Sequence, residues 1–306
     1  MRKIFYAIGA MSGTSADGID ISLIRTDGLE YFEPIRNVSI SYDKHLKKNI
    51  LDLTKTFKDK KSHFKIIEIE ELVTQKYITA LKKIIYKSNL KKSNIAVIGL
   101  HGQTVFHDPK NNISLQLINP TKVAKHFNIK VISNFREKDI INKGQGAPLV
   151  PVFHRLLTKY LKINDPCIFI NIGGISNLTH VSKNGELIAF DTGPGMCLLD
   201  DYVSKNFNNE FDKKGKFSIN GTINYNIIKI NMKDRYFKLN YPKSIDRNYF
   251  SIKKYKHLNF YDACATISMF TVKSIYDGIK KINKEFTNIY IMGGGSRNLF
   301  IKRELS

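Results

Sequence analysis

Residues 167–195 read CIFINIGGISNLTHVSKNGELIAFDTGPG, and the punctuation of this stretch decides the architecture. Residues 167–172 form a strand-length run, apolar except at Asn171, halted by Gly173-Gly174, the pattern of a strand buried on both faces. Residues 177–182 and 185–190 give two further strands, the last ending at Asp191-Thr192-Gly193-Pro194-Gly195. Glycine turns at strand ends let backbone amides approach an anion. A carboxylate beside such a turn can take a proton from an attacking group. Gly and Asp are also the ordinary residues of turns and helix caps, so the pattern alone leaves Asp191 equally readable as a structural aspartate.

The same logic recurs upstream. Residues 4–9 are an apolar run ending at glycine, 19–26 alternate as a second strand, and 12–18 form the polar turn between them. Over 64–86 the apolar residues Ile66, Ile67, Ile69, Val73, Tyr77, Leu81, Ile84 and Ile85 recur at helical spacing, which predicts a long amphipathic helix. Residues 95–100 then read as a buried strand delivering His101-Gly102-Gln103-Thr104 at its C-terminal end. Downstream, helices are expected over 196–205 and 263–281, and a last strand over 289–292 delivers Gly293-Gly294-Gly295. The motif spacing places a lobe boundary near Ile132, giving lobes 1–131 and 132–306.

With 306 residues, 42% of them hydrophobic, the chain can bury a substantial core. Its formal charge of +22 raises the class of nucleic-acid binders, whose affinity would be strongly salt-dependent. The lysines, however, are dispersed among asparagines instead of clustered, so no nucleic-acid partner is expected. Met1-Arg2-Lys3 before the run 4–9 resembles a weak leader, but the apolar stretch is short, and no run approaches the ~20 residues of a membrane-spanning helix. Cys167, Cys197 and Cys264 are odd in number and far apart, which fits a reducing cytoplasm and neither a disulfide framework nor a thiolate metal site. His107, His154 and His180 lack metal-ligand spacing, and no residue is assigned as a metal ligand in its own right.

Residues 11–20, MSGTSADGID, combine glycines with the hydroxyls of Ser12, Thr14 and Ser15, which can donate to phosphate oxygens, and with Asp17 and Asp20, which can hold a divalent cation or its water shell. An ordinary hairpin turn would use the same residues. His101-Gly-Gln-Thr and the segment 145–151, QGAPLVP, mix polar side chains with backbone punctuation, as a cleft for a hydroxylated ligand does. The glycines 293–295 would let a flat ring or ribose lie against the backbone, although a plain loop needs no more.

Taken in order, MSGTSADGID (11–20), HGQTV (101–105), GQGAPLVP (144–151), NIGGISN (171–177), FDTGPG (190–195) and GGGSRN (293–298) resemble the anhydro-N-acetylmuramic acid kinase family of the actin and hexokinase-like superfamily. That resemblance implies an α/β, two-lobed, ribonuclease H-like fold with a nucleotide cleft between lobes. It implies a cytoplasmic sugar kinase of peptidoglycan recycling that uses ATP with Mg2+ to phosphorylate O6 of 1,6-anhydro-N-acetylmuramic acid while water opens the anhydro ring, giving N-acetylmuramic acid 6-phosphate. Asp191 would be the catalytic base. Gly13, Thr14, Ser15, Ala16, Asp17, Gly18, Ile19 and Asp20 would form the ATP loop, Gly173 and Gly174 a second phosphate loop, and Gly293, Gly294 and Gly295 the adenosine side. His101, Gln103, Arg136 and Gln145 would contact the sugar, and the assembly to be expected is a homodimer. The chain departs from the family pattern at Asn134, where an aspartate is usual, at Lys143 in place of glycine and at Met196 in place of asparagine. Gln116-Leu117-Ile118 stands for Gln-Ile-Gly, and the family's Pro-Lys-Ser-Thr-Gly-Arg survives as Pro242-Lys-Ser-Ile-Asp-Arg247. Family members run on past the glycine-rich strand end, whereas this sequence stops at Ser306, so a C-terminally truncated chain is the expectation. The rival reading is a catalytically impaired sugar- or nucleotide-binding remnant of that family.

Overall fold

The computed structural model describes residues 3–57, 63–207 and 209–306. Met1 and Arg2, the basic start of the leader reading, lie outside the described residues. The chain divides into two compact units, Met1–Gly146 and Ala147–Ser306.

The first unit opens with an antiparallel meander of β1 (Phe5–Ser12), β2 (Gly18–Thr26) and β3 (Phe32–Ser41). Along β2, Ile19, Ile21 and Leu23 are buried while Asp20 and Ser22 are exposed, the period-two signature of a sheet covered on one face. Two helices follow, α1 (Lys44–Thr56), capped by the Asp43 carboxylate accepting from the Leu46 amide, and α2 (His63–Ser88). On α2, Ile69, Val73, Tyr77, Leu81 and Ile84 face the core, whereas Ile67, expected on the apolar face, is 71% exposed. Helical geometry carries the chain back to β4 (Ile95–Asp108), parallel to β1, the crossover that a parallel neighbour requires. The second half of β4 pairs with β5 (Ile113–Leu117); then α3 (Pro120–Phe127) leads to β6 (Lys130–Ile132), parallel to the first half of β4, and to α4 (Glu137–Ile141). Residues 132–146, grouped by motif spacing with the second lobe, thus pack with the first unit.

The second unit begins with α5 (Pro151–Tyr160) and the meander β7 (Cys167–Ile172), β8 (Ile175–Val181) and β9 (Leu187–Pro194). Then come α6 (Cys197–Asn206), α7 (Tyr225–Met232), α8 (Arg235–Lys238) and α9 (Phe260–Ile282). The long helix α9 is apolar around most of its circumference, as a central helix must be, and returns the chain to β10 (Asn288–Met292), parallel to β7, before α10 (Leu299–Leu305). The sheet orders β3-β2-β1-β4 and β9-β8-β7-β10 are the same topology built twice, three antiparallel strands followed by one parallel neighbour. This is the expected ribonuclease H-like α/β class. Among the described residues no helix is long and apolar enough to cross a membrane.

Candidate active site

In both units the residues singled out from sequence fall at one sheet edge, the carboxyl ends of the parallel pairs. In the first unit β1 and β4 pair from Ile8 opposite Ile98 to Ala10 opposite Leu100, and after a one-residue register shift Ser12 lies opposite Gln103, which sets the 13–17 turn beside His101 and Gln103. Ser12 was expected to offer its hydroxyl to phosphate. Instead it is buried and bonded at 2.8 Å to the hydroxyls of both Tyr42 and Tyr77, because β1 runs on through Ser12 and turns its side chain into the core. Gly13 has only Ser15 Oγ within 4 Å of where a Cβ would sit, so the tip is open to a ligand on that side. Its carbonyl accepts from the Ala16 amide at 3.1 Å and from Gln103 Nε2 at 3.0 Å. Ala16 is buried with φ 53°, which closes the turn tightly. Gly18 is glycine because a Cβ would lie 2.2 Å from the Ile40 carbonyl oxygen.

Gln103 is fully buried at 0% exposure, so its side chain holds the turn from beneath. Asp17, exposed at the tip, is held by Lys47 Nζ at 2.7 Å, and Asp20, on the exposed face of β2, accepts from Ser39 Oγ at 2.5 Å. Ile19 is core. His101 is buried, donates from Nδ1 to the Gly102 carbonyl at 2.8 Å and accepts at Nε2 from the Arg136 guanidinium at 2.9 Å. Burial, with the Arg136 charge adding to it, lowers the imidazole pKa to about 4, so the ring is a neutral acceptor at physiological pH. Arg136 also donates to the Gly146 carbonyl at 2.6 Å, and Gln145 is half-buried in the same turn. That turn is organised by Asp139, whose Oδ2 accepts from the Gly146 amide at 2.7 Å and sits 2.1 Å from where a Gly144 Cβ would fall. The two departures here have local geometry. Asn134 adopts φ 58° with Nδ2 on Glu137, and Lys143 adopts φ 66°, a conformation suited to the glycine it replaces.

In the second unit the glycine turns interlock. The carbonyls of Gly173 and Gly174 accept from the amides of Met196 (2.8 Å), Gly195 (3.0 Å) and Cys197 (3.1 Å), so what reads as two loops is one hydrogen-bonded edge at the start of α6. Gly293, at φ 85°, and Gly295 seat the end of β10 against Asn171 and Ile172 of β7, where any Cβ would collide; a Cβ at Gly294 would meet nothing within 4 Å. Met196, the other departure, lays its thioether beside Gly295.

Asp191 does not follow the strand, as the sequence reading had it, but lies inside β9, opposite Asn177, because buried residues 191–194 keep pairing with β8 past Phe190. It is 5% exposed. Its amide donates to the Lys243 carbonyl at 3.0 Å, its Oδ2 accepts from the Ile245 amide at 3.0 Å, and its carbonyl accepts from the Tyr236 hydroxyl at 2.5 Å. A carboxylate fixed through Oδ2 by a backbone amide is held in one orientation, the geometry a base requires. The sequence reading missed Lys243, Tyr236 and Asp139. Lys243 was visible as part of 242–247, but nothing in a single sequence ties that segment to Asp191 across some fifty residues.

The family model for anhydro-N-acetylmuramic acid kinase matches residues 5–306. The chain is 37% identical over 317 residues to the anhydro-N-acetylmuramic acid kinase of Pelagibacter ubique, covering 100% of this chain and 84% of that protein. It is 35% identical over 306 residues to that of Bradyrhizobium diazoefficiens (98% and 83%), and 33% identical over 313 residues to that of Brucella canis (100% and 84%). Among solved structures, ethanolamine utilization protein EutJ from Carboxydothermus hydrogenoformans aligns over 98% of this chain and 82% of its own at 13% identity and a TM-score of 0.40, too remote to bear on the site. The chain therefore belongs to the anhydro-N-acetylmuramic acid kinase family.

Proposed function

We propose that this protein is an ATP-dependent kinase that converts 1,6-anhydro-N-acetylmuramic acid to N-acetylmuramic acid 6-phosphate, with Asp191 as the base. In balance, water adds at C1, the C1–O6 bond breaks, O6 takes the γ-phosphoryl group of ATP, and ADP leaves. The observation that carries the assignment of Asp191 is its buried carboxylate, held through Oδ2 by the Ile245 amide beside the interlocked glycine turns. So held, it can accept the proton of the attacking water without reorganising.

In the first unit, the turn is open at Gly13, where phosphate oxygens would approach, with Ala16, Gly18 and Gln103 holding its backbone. Asp17 and Asp20 carry oxygens that a magnesium ion or its waters would use, and the ion would neutralise charge on the transferred phosphoryl group. In the second unit, Gly174 and Gly294 are the backbone against which nucleotide is proposed to lie. His101, Arg136 and Gln145, joined through the Arg136 contacts, are the proposed sugar-recognition group, with Arg136 as donor and the neutral His101 as its orienting acceptor. A cytoplasmic location follows from the use of ATP, and a homodimer is part of the same proposal. The reading of the chain as an impaired remnant is not favoured, since the match to the kinase family runs along the whole chain.

The test is sugar 6-phosphate formation by Asp191→Asn, which keeps shape and hydrogen bonding but cannot accept the proton. Turnover should fall at least about 100-fold while ATP affinity changes by only a few fold. Near-parental turnover in the folded variant removes Asp191 from the mechanism.

A further inference from the structure

Asp191 is gripped at three atoms, and all three partners come from one short segment, residues 236–245, which runs from α8 into the chain beyond it. Tyr236 binds its carbonyl, Lys243 its amide and Ile245 its carboxylate. What closes that segment on itself is the side chain of Lys243. Its ammonium, on a residue only 3% exposed, donates to the Tyr236 carbonyl at 3.3 Å and lies 4.3 Å from the Tyr236 ring centroid, with Phe190 at 5.7 Å and Phe237 at 5.9 Å. The lysine thus ties residue 236 to residue 243, the two ends of the grip on Asp191.

We propose that Lys243 is the positioning residue of the catalytic carboxylate, holding Tyr236 and the 243–245 backbone so that Asp191 is locked in its reactive orientation. The proposal rests on the assignment of Asp191 as the base. A packing role alone would be filled at lower cost by methionine or leucine, because an ammonium withdrawn from water is stabilised poorly by carbonyls and rings. A charge retained in such a place marks a functional demand.

The charged and titratable groups around Lys243 are Lys281 and Asp277 on α9, Asp191 on β9 and Tyr236 on α8. Burial, and then the Lys281 cation, lower the Lys243 pKa to about 8, while Asp277 and Asp191 oppose the shift. The ammonium is therefore present at pH 7 and lost just above it. When the proton leaves, the cation–π attraction to three rings goes with it, and so does a positive charge that favours the Asp191 anion.

The experiment is kcat against pH for the full chain and three variants, with Asp191→Asn beside them. The parent should lose kcat with an alkaline midpoint near 8. Lys243→Met should lower kcat at pH 7 by about tenfold or more, leave the KM for ATP within about threefold, and show no inflection near 8. Lys243→Arg, which stays charged, should carry its activity past pH 9 (~) without that inflection. Lys281→Gln removes the neighbouring cation and should move the parental inflection to higher pH. A Lys243→Met protein with parental kcat and the inflection intact overturns the proposal. Should that variant not fold, an inflection unmoved in Lys281→Gln overturns it equally. An active Asp191→Asn protein would instead sink the base assignment, whatever Lys243 does.

Discussion

Gly13 and Gly18 lie five positions apart in one loop and are glycine for different reasons. At Gly18 the neighbouring strand leaves no room, since a Cβ would stand 2.2 Å from the Ile40 oxygen, so any substitution pushes β2 off β3. At Gly13 a Cβ meets nothing nearer than Ser15 Oγ at 3.6 Å, so the fold tolerates one and only an approaching ligand would not. Gly13→Val should therefore leave the thermal midpoint within about 2 °C of the parent and weaken ATP binding by about tenfold or more, both measurable on the same preparation. Unchanged ATP affinity by calorimetry would take the phosphates away from this turn. Lys143 makes the converse case. With φ at 66° a lysine is strained where glycine is not, so Lys143→Gly should stabilise the first unit by about 0.5–1 kcal/mol in urea melts, and a loss of stability would mean that the lysine side chain holds the turn.

At the scale of elements, the structural unit of the second half is the interlocked edge, not any single loop. Gly195 is pinned there because a Cβ would come within 2.2 Å of the Gly173 oxygen that accepts from Met196. Gly195→Ala should part the two turns and cost about 2 kcal/mol or more of stability, whereas Gly294→Ala, with nothing within 4 Å, should cost less than about 0.5 kcal/mol. If Gly294 lies against nucleotide, the second variant will nonetheless bind ATP more weakly, and parental affinity would move adenosine elsewhere. How far this edge was legible in the sequence varied by element. The strand β7 ends where the apolar run ends, because burial on both faces writes itself directly into composition. The extension of β9 through Asp-Thr-Gly-Pro was hidden, since those residues spell a turn locally and are held extended only by pairing with β8. The strand β3 was hidden too. It is an edge strand whose Pro34 sits opposite Ile24 at a register shift, a place where proline is tolerated and the alternation breaks. Contacts such as Gln103 to Gly13 and Asp191 to Ile245 join residues 90 and 54 apart, and only the fold brings them together.

The whole molecule combines a formal charge of +22 with buried histidines, and both make acid its weakness. His101, His107 and His154 each have a pKa lowered to about 4, with burial the first cause in all three, reinforced by Arg136 for His101 and His107. His154 is stacked 4.8 Å from Phe169 with Nδ1 on Thr179 at 2.9 Å, an environment with no place for a second ring proton charge. In the unfolded chain each ring titrates near 6.5. Between the two values the unfolded state binds more protons than the folded one, so stability rises with pH there. The contribution is whole above about 6.5 and is lost as the pH falls toward 4. Three protons taken up on unfolding would give a slope of up to about 4 kcal/mol per pH unit, and two of the three sites are in the first unit, which should melt first. Self-repulsion of the basic surface acts in the same direction, but salt separates the two effects, because a Debye length of about 8 Å at 0.15 M screens surface lysines and not a ring sealed in the core. Guanidine-free thermal melts at pH 7 and pH 5, each at low and high salt, should therefore show a loss at pH 5 that salt only partly restores. Full recovery in salt, or the imidazole resonances of His101, His107 and His154 titrating near 6.5 in the folded chain, would show that these histidines reach water and that the acid sensitivity lies in the surface charge alone.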